Sequence, residues 1–211
     1  MNEITFVNGT YRSEITVKKS RFICSLKGDV TKEEAEAFIQ SIKKEFPDAR
    51  HNCFAYVIDE NTFRYSDDGE PQGTAGIPML EVMKRKGLSQ SVLVITRYFG
   101  GLLLGAPGLV SAYTDCAVNG IESAKLAKKA YMLYMEVTAT YQDNANIEAL
   151  ARKKGYIKVD TVYEDVVKST YIIEKDKKDA FVTDITEITK GKAQTELIKE
   201  GYTVIPSKEI Q

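Results

Sequence analysis

The chain holds 211 residues, 43% of them hydrophobic, with 29 Lys plus Arg against 30 Asp plus Glu and a formal net charge of −1. That length accommodates two domains with real cores, and the apolar content excludes a disordered tail. The balanced charge lacks the basic excess expected of a strong nucleic-acid binder, leaving only a local basic patch open.

No basic segment followed by an apolar run opens the sequence, so no signal or transit peptide is expected. Apolar runs such as 91–96 and 102–106 are too short to span a bilayer. A soluble, cytoplasmic protein without a membrane partner is the expectation. The 3 cysteines, Cys24, Cys53 and Cys116, form no CxxC pair and are odd in number. Buried reduced thiols are expected rather than a disulfide framework or zinc ribbon.

Strand-like runs over 11–17 and 21–26 come first. Thr31-Lys32-Glu33-Glu34 is a capping box, a Thr N-cap with Glu three residues on. It opens a helix whose apolar positions Ala35, Phe38, Ile39 and Ile42 repeat at helical spacing, with Pro47 as its stop. Residues 51–58 predict a strand, Asp59-Glu60-Asn61 a turn, and 62–65 a hairpin partner. The stretch YSDDGEPQGTAGIPML, residues 65–80, follows and leads into a short helix over 78–86, closed by Gly87. Residues 91–99 predict a buried strand, and residues 100–108 a second glycine-rich connection. A long helix comes next, with Leu109, Tyr113, Cys116, Ala117, Gly120, Ile121 and Ala124 on one side. Lys125, Lys128 and Lys129 are placed near its end, where cations suit the helix dipole.

Beyond that point the pattern changes. A strand over 131–141, a helix over 143–154 closed by Gly155, and strands over 156–163 and 166–173 are expected. A helix over 177–190 closed by Gly191 and a last strand within 193–205 complete the chain. The order β-α-β-β-α-β is that of a ferredoxin-like domain. Two domains are therefore expected, 1–130 and 131–211.

The single histidine, His51, excludes multi-histidine metal sites and the HExxH pattern. Cys53 lies two residues on and shares its strand face. A thiolate–imidazole pair and a half-buried histidine bonded to a backbone or carboxylate group both stay open. Asp67, Asp68 and Glu70 lack the EF-hand spacing. They read either as ligands of a hard cation or as turn formers paired with Arg64 or Arg97. The GxxxxG of residues 100–105 is followed by Ala106-Pro107 rather than Lys-Ser/Thr, so it is no Walker loop, and no GxGxxG exists.

What recurs is GxxG before a helix: Gly73-Thr74-Ala75-Gly76 and Gly105-Ala106-Pro107-Gly108, each with a proline, Pro78 or Pro107, near the first turn. Both loops are expected to point main-chain N–H groups outward, a favourable place for an anion. The alternative is a pair of plain helix-start turns needing positive φ or close packing. Basic and aromatic residues interleave at Lys18, Lys19 and Arg21 and at Arg97-Tyr98-Phe99, the components of a stacking surface.

Taken together, Lys19-Ser20-Arg21-Phe22-Ile23, His51-Asn52-Cys53-Phe54-Ala55-Tyr56, Asp67-Asp68-Gly69-Glu70-Pro71, Gly73-Thr74-Ala75-Gly76 and Thr96-Arg97-Tyr98-Phe99-Gly100-Gly101, running on to Leu104-Gly105, resemble the IMPACT/YigZ family, in the family's order. The departures are Gln72, where the family often has Ser, and Pro107, where it often has Gly. The resemblance implies an α+β chain. Its first domain would be like domain 2 of ribosomal protein S5, a layered β-α fold, and its second ferredoxin-like. Such a pair is similar to the last two domains of elongation factor G. Eukaryotic members regulate translation initiation by competing for an activator of a starvation-sensing kinase. No catalytic residue carries over.

The expectation is therefore a non-enzymatic regulator of translation or a related process, without a cofactor. Its partner would be RNA, the ribosome or a translation-associated protein. The binding residues would be Lys19, Arg21, His51, Asp67, Asp68, Glu70, Gly73, Thr74, Gly76, Arg97, Tyr98, Phe99, Gly100, Gly101 and Gly105, with 67–76, 97–101 and Lys19/Arg21 on one face. The alternatives are a metal-assisted hydrolase using Asp67, Asp68 and Glu70, and a purely protein-binding module whose acidic loop meets a partner's arginines. Oligomeric state is not legible.

Overall fold

The structure is a computed structural model that describes residues 3–205. The outer limits expected for the two domains, residues 1 and 211, lie outside the described residues. The chain divides into two compact units, Ile4–Lys128 and one that begins at Lys129.

A short strand that the sequence reading does not anticipate, β1 (Ile4–Val7), comes first. The first unit then contains β2 (Thr10–Val17), β3 (Ser20–Gly28), α1 (Lys32–Glu45), β4 (His51–Val57), β5 (Phe63–Ser66), α2 (Gly76–Arg85), β6 (Ser91–Tyr98) and α3 (Gly105–Glu122). Its sheet runs β2-β3-β6-β4-β5, with every neighbouring pair antiparallel.

The expected capping box starts α1. Glu34 N–H donates to Thr31 Oγ1 at 3.2 Å, and Thr31 N–H donates to Glu34 Oε2 at 2.8 Å. Ala35, Ile39 and Ile42 of α1 pack on Phe54, Tyr56, Val92 and Val94 on one face of the sheet. The opposite face, with Phe22, Cys24, Leu26, Cys53, Ala55, Leu93 and Ile95, packs with residues of α2 and α3. Alternation along each strand sorts the two sets. Close packing of α3 depends on Gly120, where a Cβ would overlap the Cys24 sulfur.

The second unit comprises most of β7 (Leu126–Ala139), then α4 (Tyr141–Lys154), β8 (Ile157–Tyr163), β9 (Val167–Glu174), α5 (Lys178–Thr189) and β10 (Gln194–Val204). These strands lie in the order β10-β7-β9-β8, all antiparallel, which is the ferredoxin-like arrangement. Leu133, Met135, Val137, Ile147, Tyr171 and Phe181 build its core. Thr140 caps α4, and Gly155 ends it at φ 77 in the left-handed region that glycine adopts without strain. The fold is thus α+β, with an S5-domain-2-like unit followed by a ferredoxin-like one.

One expectation needs correction. Lys125, Lys128 and Lys129 do not end the long helix. α3 stops at Glu122, and β7 already begins at Leu126. Strand pairing decides the matter: Lys129 is registered opposite Val204 of β10, and the Lys125 carbonyl accepts from Asn8 N–H at 2.8 Å. A helical period carried by a few alanines does not compete with a ladder of main-chain bonds.

Candidate functional site

Between β5 and α2 the chain directs its three carboxylates to three different partners. Asp67 turns inward over the first GxxG. Its Oδ2 accepts from Gly73 N–H at 2.8 Å, and its Oδ1 from Ala75 and Gly76 N–H at 3.0 and 2.8 Å. Ala75, the N-cap of α2, has no side-chain acceptor, so Asp67 supplies that role from eight residues back. The expectation that this loop points its N–H groups outward is corrected, because an anion of the same chain already fills it. The fold-back needs Asp68 at φ 45 and Gly69 at φ 87. It also needs Gly76 to lie against the Ser66 main chain, where a Cβ has no room. Thr74 Oγ1 closes the turn by donating to the Pro71 carbonyl at 2.6 Å.

Asp68 ties the loop to its neighbours. Lys43 Nζ of α1 donates to Oδ1 at 2.6 Å, and Asn52 N–H of β4 donates to Oδ2 at 2.7 Å. Glu70 is buried, 8% exposed, and its Oε1 accepts from Arg97 Nη1 at 2.6 Å and from Tyr113 Oη at 2.9 Å. Of the two arginines that the sequence offers as partners, Arg97 is the one bound to this loop. Arg64 instead lies 3.7 Å from Glu36 at the surface. Among the described residues, no three or more His, Cys, Asp or Glu side chains form a group that could hold a metal ion.

His51 and Cys53 share a strand face, yet both meet the acidic loop rather than each other. His51 Nδ1 lies 2.8 Å from the Asp68 carbonyl oxygen, an acceptor, so that nitrogen carries a proton. His51 Nε2 is 4.0 Å from Glu70 Oε1. The Cys53 thiol sits 2.9 Å from the Asp67 carbonyl and 3.3 Å from Tyr113 Oη. Burial pushes both the Cys53 thiol and the Tyr113 hydroxyl well above their ordinary ranges. A protonated, enclosed thiol is a poor nucleophile. Cys24 and Cys116 are buried as well. The native protein is thus expected to release almost no colour with Ellman's reagent at pH 8 over minutes, whereas the denatured chain should titrate all 3 thiols. Rapid stoichiometric labelling of Cys53 in the native state would contradict its inert environment.

The remaining expected residues separate. Strand register pairs Arg21 with Tyr98 and Phe22 with Arg97. Alternation therefore sends Arg97 and Phe22 to one sheet face and Arg21 and Tyr98 to the other. Each arginine has its own aromatic neighbour: Arg97 lies 5.4 Å from the Phe22 ring centroid and 5.8 Å from that of Phe99, and Arg21 lies 5.6 Å from that of Tyr98. Arg21 is also paired with Glu14 at 2.8 Å, and Tyr98 Oη donates to Asp48 at 2.9 Å. The single face expected to hold Lys19, Arg21 and residues 97–101 is corrected accordingly.

Lys18 and Lys19 form the two-residue turn between β2 and β3, with φ 44 and 67. Both central residues at positive φ is the type I′ requirement. Gly100 rests on the main chain of Lys19 and Ser20, where a Cβ would overlap. Gly101, exposed at φ 83, turns the chain away.

What the fold does bring together is a cleft of about 370 Å³, lined by Arg50, His51, Gly69, Glu70, Pro71, Arg97, Phe99, Leu103, Leu104, Gly105, Ala106 and Leu109. Five expected residues meet there: His51, Glu70, Arg97, Phe99 and Gly105. Leu103 is 86% exposed, with Leu102 at 49% and Phe99 at 44% beside it. Sequence reasoning missed Arg50 and the leucines. The available signal was Leu102-Leu103-Leu104 on a connection where apolar residues are not needed for a core. A second groove, about 570 Å³ between α1 and β5, contains none of the expected residues.

The Impact N-terminal domain profile matches residues 18–121, which include every residue lining the cleft. "IMPACT family member YvyE" of Bacillus subtilis (strain 168) is 42% identical over 190 residues, covering 89% of this chain and 86% of that protein. The chain belongs to the IMPACT family. "IMPACT family member YigZ" of Escherichia coli (strain K12) is 34% identical over 188 residues, 87% of this chain and 92% of that one.

In this IMPACT-family chain the second unit also matches a profile, Domain of unknown function (DUF1949), over residues 137–192. "Protein IMPACT" of Homo sapiens is 28% identical over 110 residues, half of this chain (50%) and 34% of that protein. A crystal structure described as that of "an hypothetical protein" superposes with a TM-score of 0.61 at 31% identity, covering 94% of this chain and 98% of that one. Among the described residues, no helix is long and apolar enough to cross a membrane.

Proposed function

We propose that this IMPACT-family chain is a non-enzymatic regulator of translation or a related process, and that its cleft receives a translation-associated protein. The observation that carries this reading is the apolar rim of Phe99 and Leu103, exposed around a buried, mutually neutralised Arg97–Glu70 pair. Exposed leucines on a polar-floored cleft suit a partner's side chain better than a phosphate backbone. RNA binding would call for a track of unpaired cations, whereas Arg97, Arg21 and Lys43 are each engaged by a carboxylate. A hydrolase would call for converging carboxylates, and Asp67, Asp68 and Glu70 are bound to separate protein groups. The resemblance to eukaryotic regulators of translation initiation supports the cellular process.

The test is affinity capture on the purified full-length chain, with and without nuclease, compared with Leu103→Asp. Expected is a translation-associated protein that survives nuclease and is lost with Leu103→Asp. Capture that disappears with nuclease would favour RNA instead. Capture unaffected by Leu103→Asp would remove the cleft from the interface.

A further inference from the structure

The two GxxG loops are chemical counterparts with different outcomes. The first has its N–H groups occupied by the Asp67 carboxylate. The second opens α3, which has 18 residues, and its N-cap, Leu104, offers no side-chain acceptor. Neither the Gly105 nor the Ala106 main-chain N–H has an acceptor among the described residues. Both residues line the cleft.

Arg97 supplies an independent observation. It is 6% exposed, lines the same cleft, and has a buried Nε with no hydrogen-bond partner. Its Nη1 is committed to Glu70. Nε belongs to the side edge of the guanidinium, an edge suited to clasping a carboxylate with two parallel N–H bonds. The lining sets the Arg50 guanidinium beside the Arg97–Glu70 pair, and the helix start adds partial positive charge.

We infer that the cleft binds a terminal carboxylate: the C-terminus of a protein chain ending in an apolar residue. This rests on the reading of the cleft as a protein-binding site. The carboxylate would take the Gly105 and Ala106 N–H groups and Arg97, and the last side chain would lie against Phe99, Leu103 and Leu104. Capture of a C-terminal carboxylate by main-chain N–H groups is an established recognition mode. The apolar walls favour it over a nucleic-acid phosphate, which brings no apolar group to fill them.

The test uses the ¹⁵N-labelled full-length chain. It is titrated with the dipeptide N-acetyl-Ala-Leu bearing a free carboxylate, with the same dipeptide amidated, and with inorganic phosphate. Expected are saturable shifts at the Gly105 and Ala106 amides and at Arg97 Nε–H with the free acid. Amidation should weaken binding by about tenfold or more, the scale of a lost charge-assisted bond. Ala106→Asp, at an exposed position, places a fixed carboxylate by the same N–H groups and should abolish the response without unfolding the chain.

No shift at these groups overturns the inference. Equal binding of acid and amide overturns it as well, but leaves the apolar cleft as a protein site. Phosphate binding as tight as the free acid would assign the site to phosphate and overturn the peptide source. Nuclease-resistant capture that depends on Leu103 but is unaffected by Ala106→Asp would sink the carboxylate alone and spare the wider reading.

Discussion

Replacing Asp67 by Ala is expected to lower the free energy of unfolding by about 3–5 kcal/mol, because three N–H groups lose their shared acceptor at about 1–3 kcal/mol each. The lower part of the summed range of about 3–9 kcal/mol applies, because Gly73 is only partly buried and water can reach its N–H. The N-cap residue of α2, Ala75, supplies no side-chain cap of its own. Asp67→Asn keeps one acceptor oxygen and should fall between wild type and Ala. Urea denaturation followed by far-UV circular dichroism suits a chain with 0 Trp. If Asp67→Ala does not fold, the Asn variant carries the test. An Asn variant indistinguishable from wild type, or an Ala cost below about 1 kcal/mol, would mean that water replaces the carboxylate without penalty.

Glu70→Ala carries the second large effect. Among the described residues Glu70 is the carboxylate bonded to Arg97, and it also orients Tyr113 Oη. Removing one member of a buried pair leaves the other charge uncompensated, at a cost of about 3–5 kcal/mol. Removing both is a different experiment. Glu70→Leu with Arg97→Met replaces the pair by apolar groups and should recover most of the loss. The coupling is read from a double-mutant cycle on urea midpoints with constant slope. Strictly additive single and double variants would show that the two side chains do not act as a unit. The pair also holds the floor of the cleft, so Glu70→Ala should disturb the Gly105 and Ala106 amide resonances even in folded protein.

Much of the architecture was legible because local rules and tertiary packing agree. The capping box at Thr31, the stop before Pro47 and the left-handed Gly155 are short-range devices, and each acts where the sequence puts it. The β-α-β-β-α-β order follows from periodicity alone. The four residues of β1 carry too little pattern to predict a strand, and the lysines after α3 join one because their pairing partners lie far along the chain.

The candidate site was legible in parts only. Charge sense offers Arg64 or Arg97 to the acidic loop as a whole, and only the structure selects Glu70 and Arg97, 2.6 Å apart. The two GxxG loops read alike in sequence, yet one is filled by Asp67 and the other opens on the cleft. That difference arises from the turn at Asp68 and Gly69, which sequence spacing does not reveal. Likewise Arg21 and Arg97 look like one basic surface until the β3–β6 register puts them on opposite faces.

By itself, then, the sequence determined the α+β class, the ferredoxin-like order of the second unit, the family, and the residue types available to a site. The element order depends on local propensity and hydrophobic period, which act over a few residues, and the family on the motif residues themselves. Only the tertiary structure decided which carboxylate meets which partner, which face each arginine occupies, and which helix start is left without an internal anion. Those choices depend on strand register and on one fold-back turn, where a shift of a single residue would reverse the side-chain face.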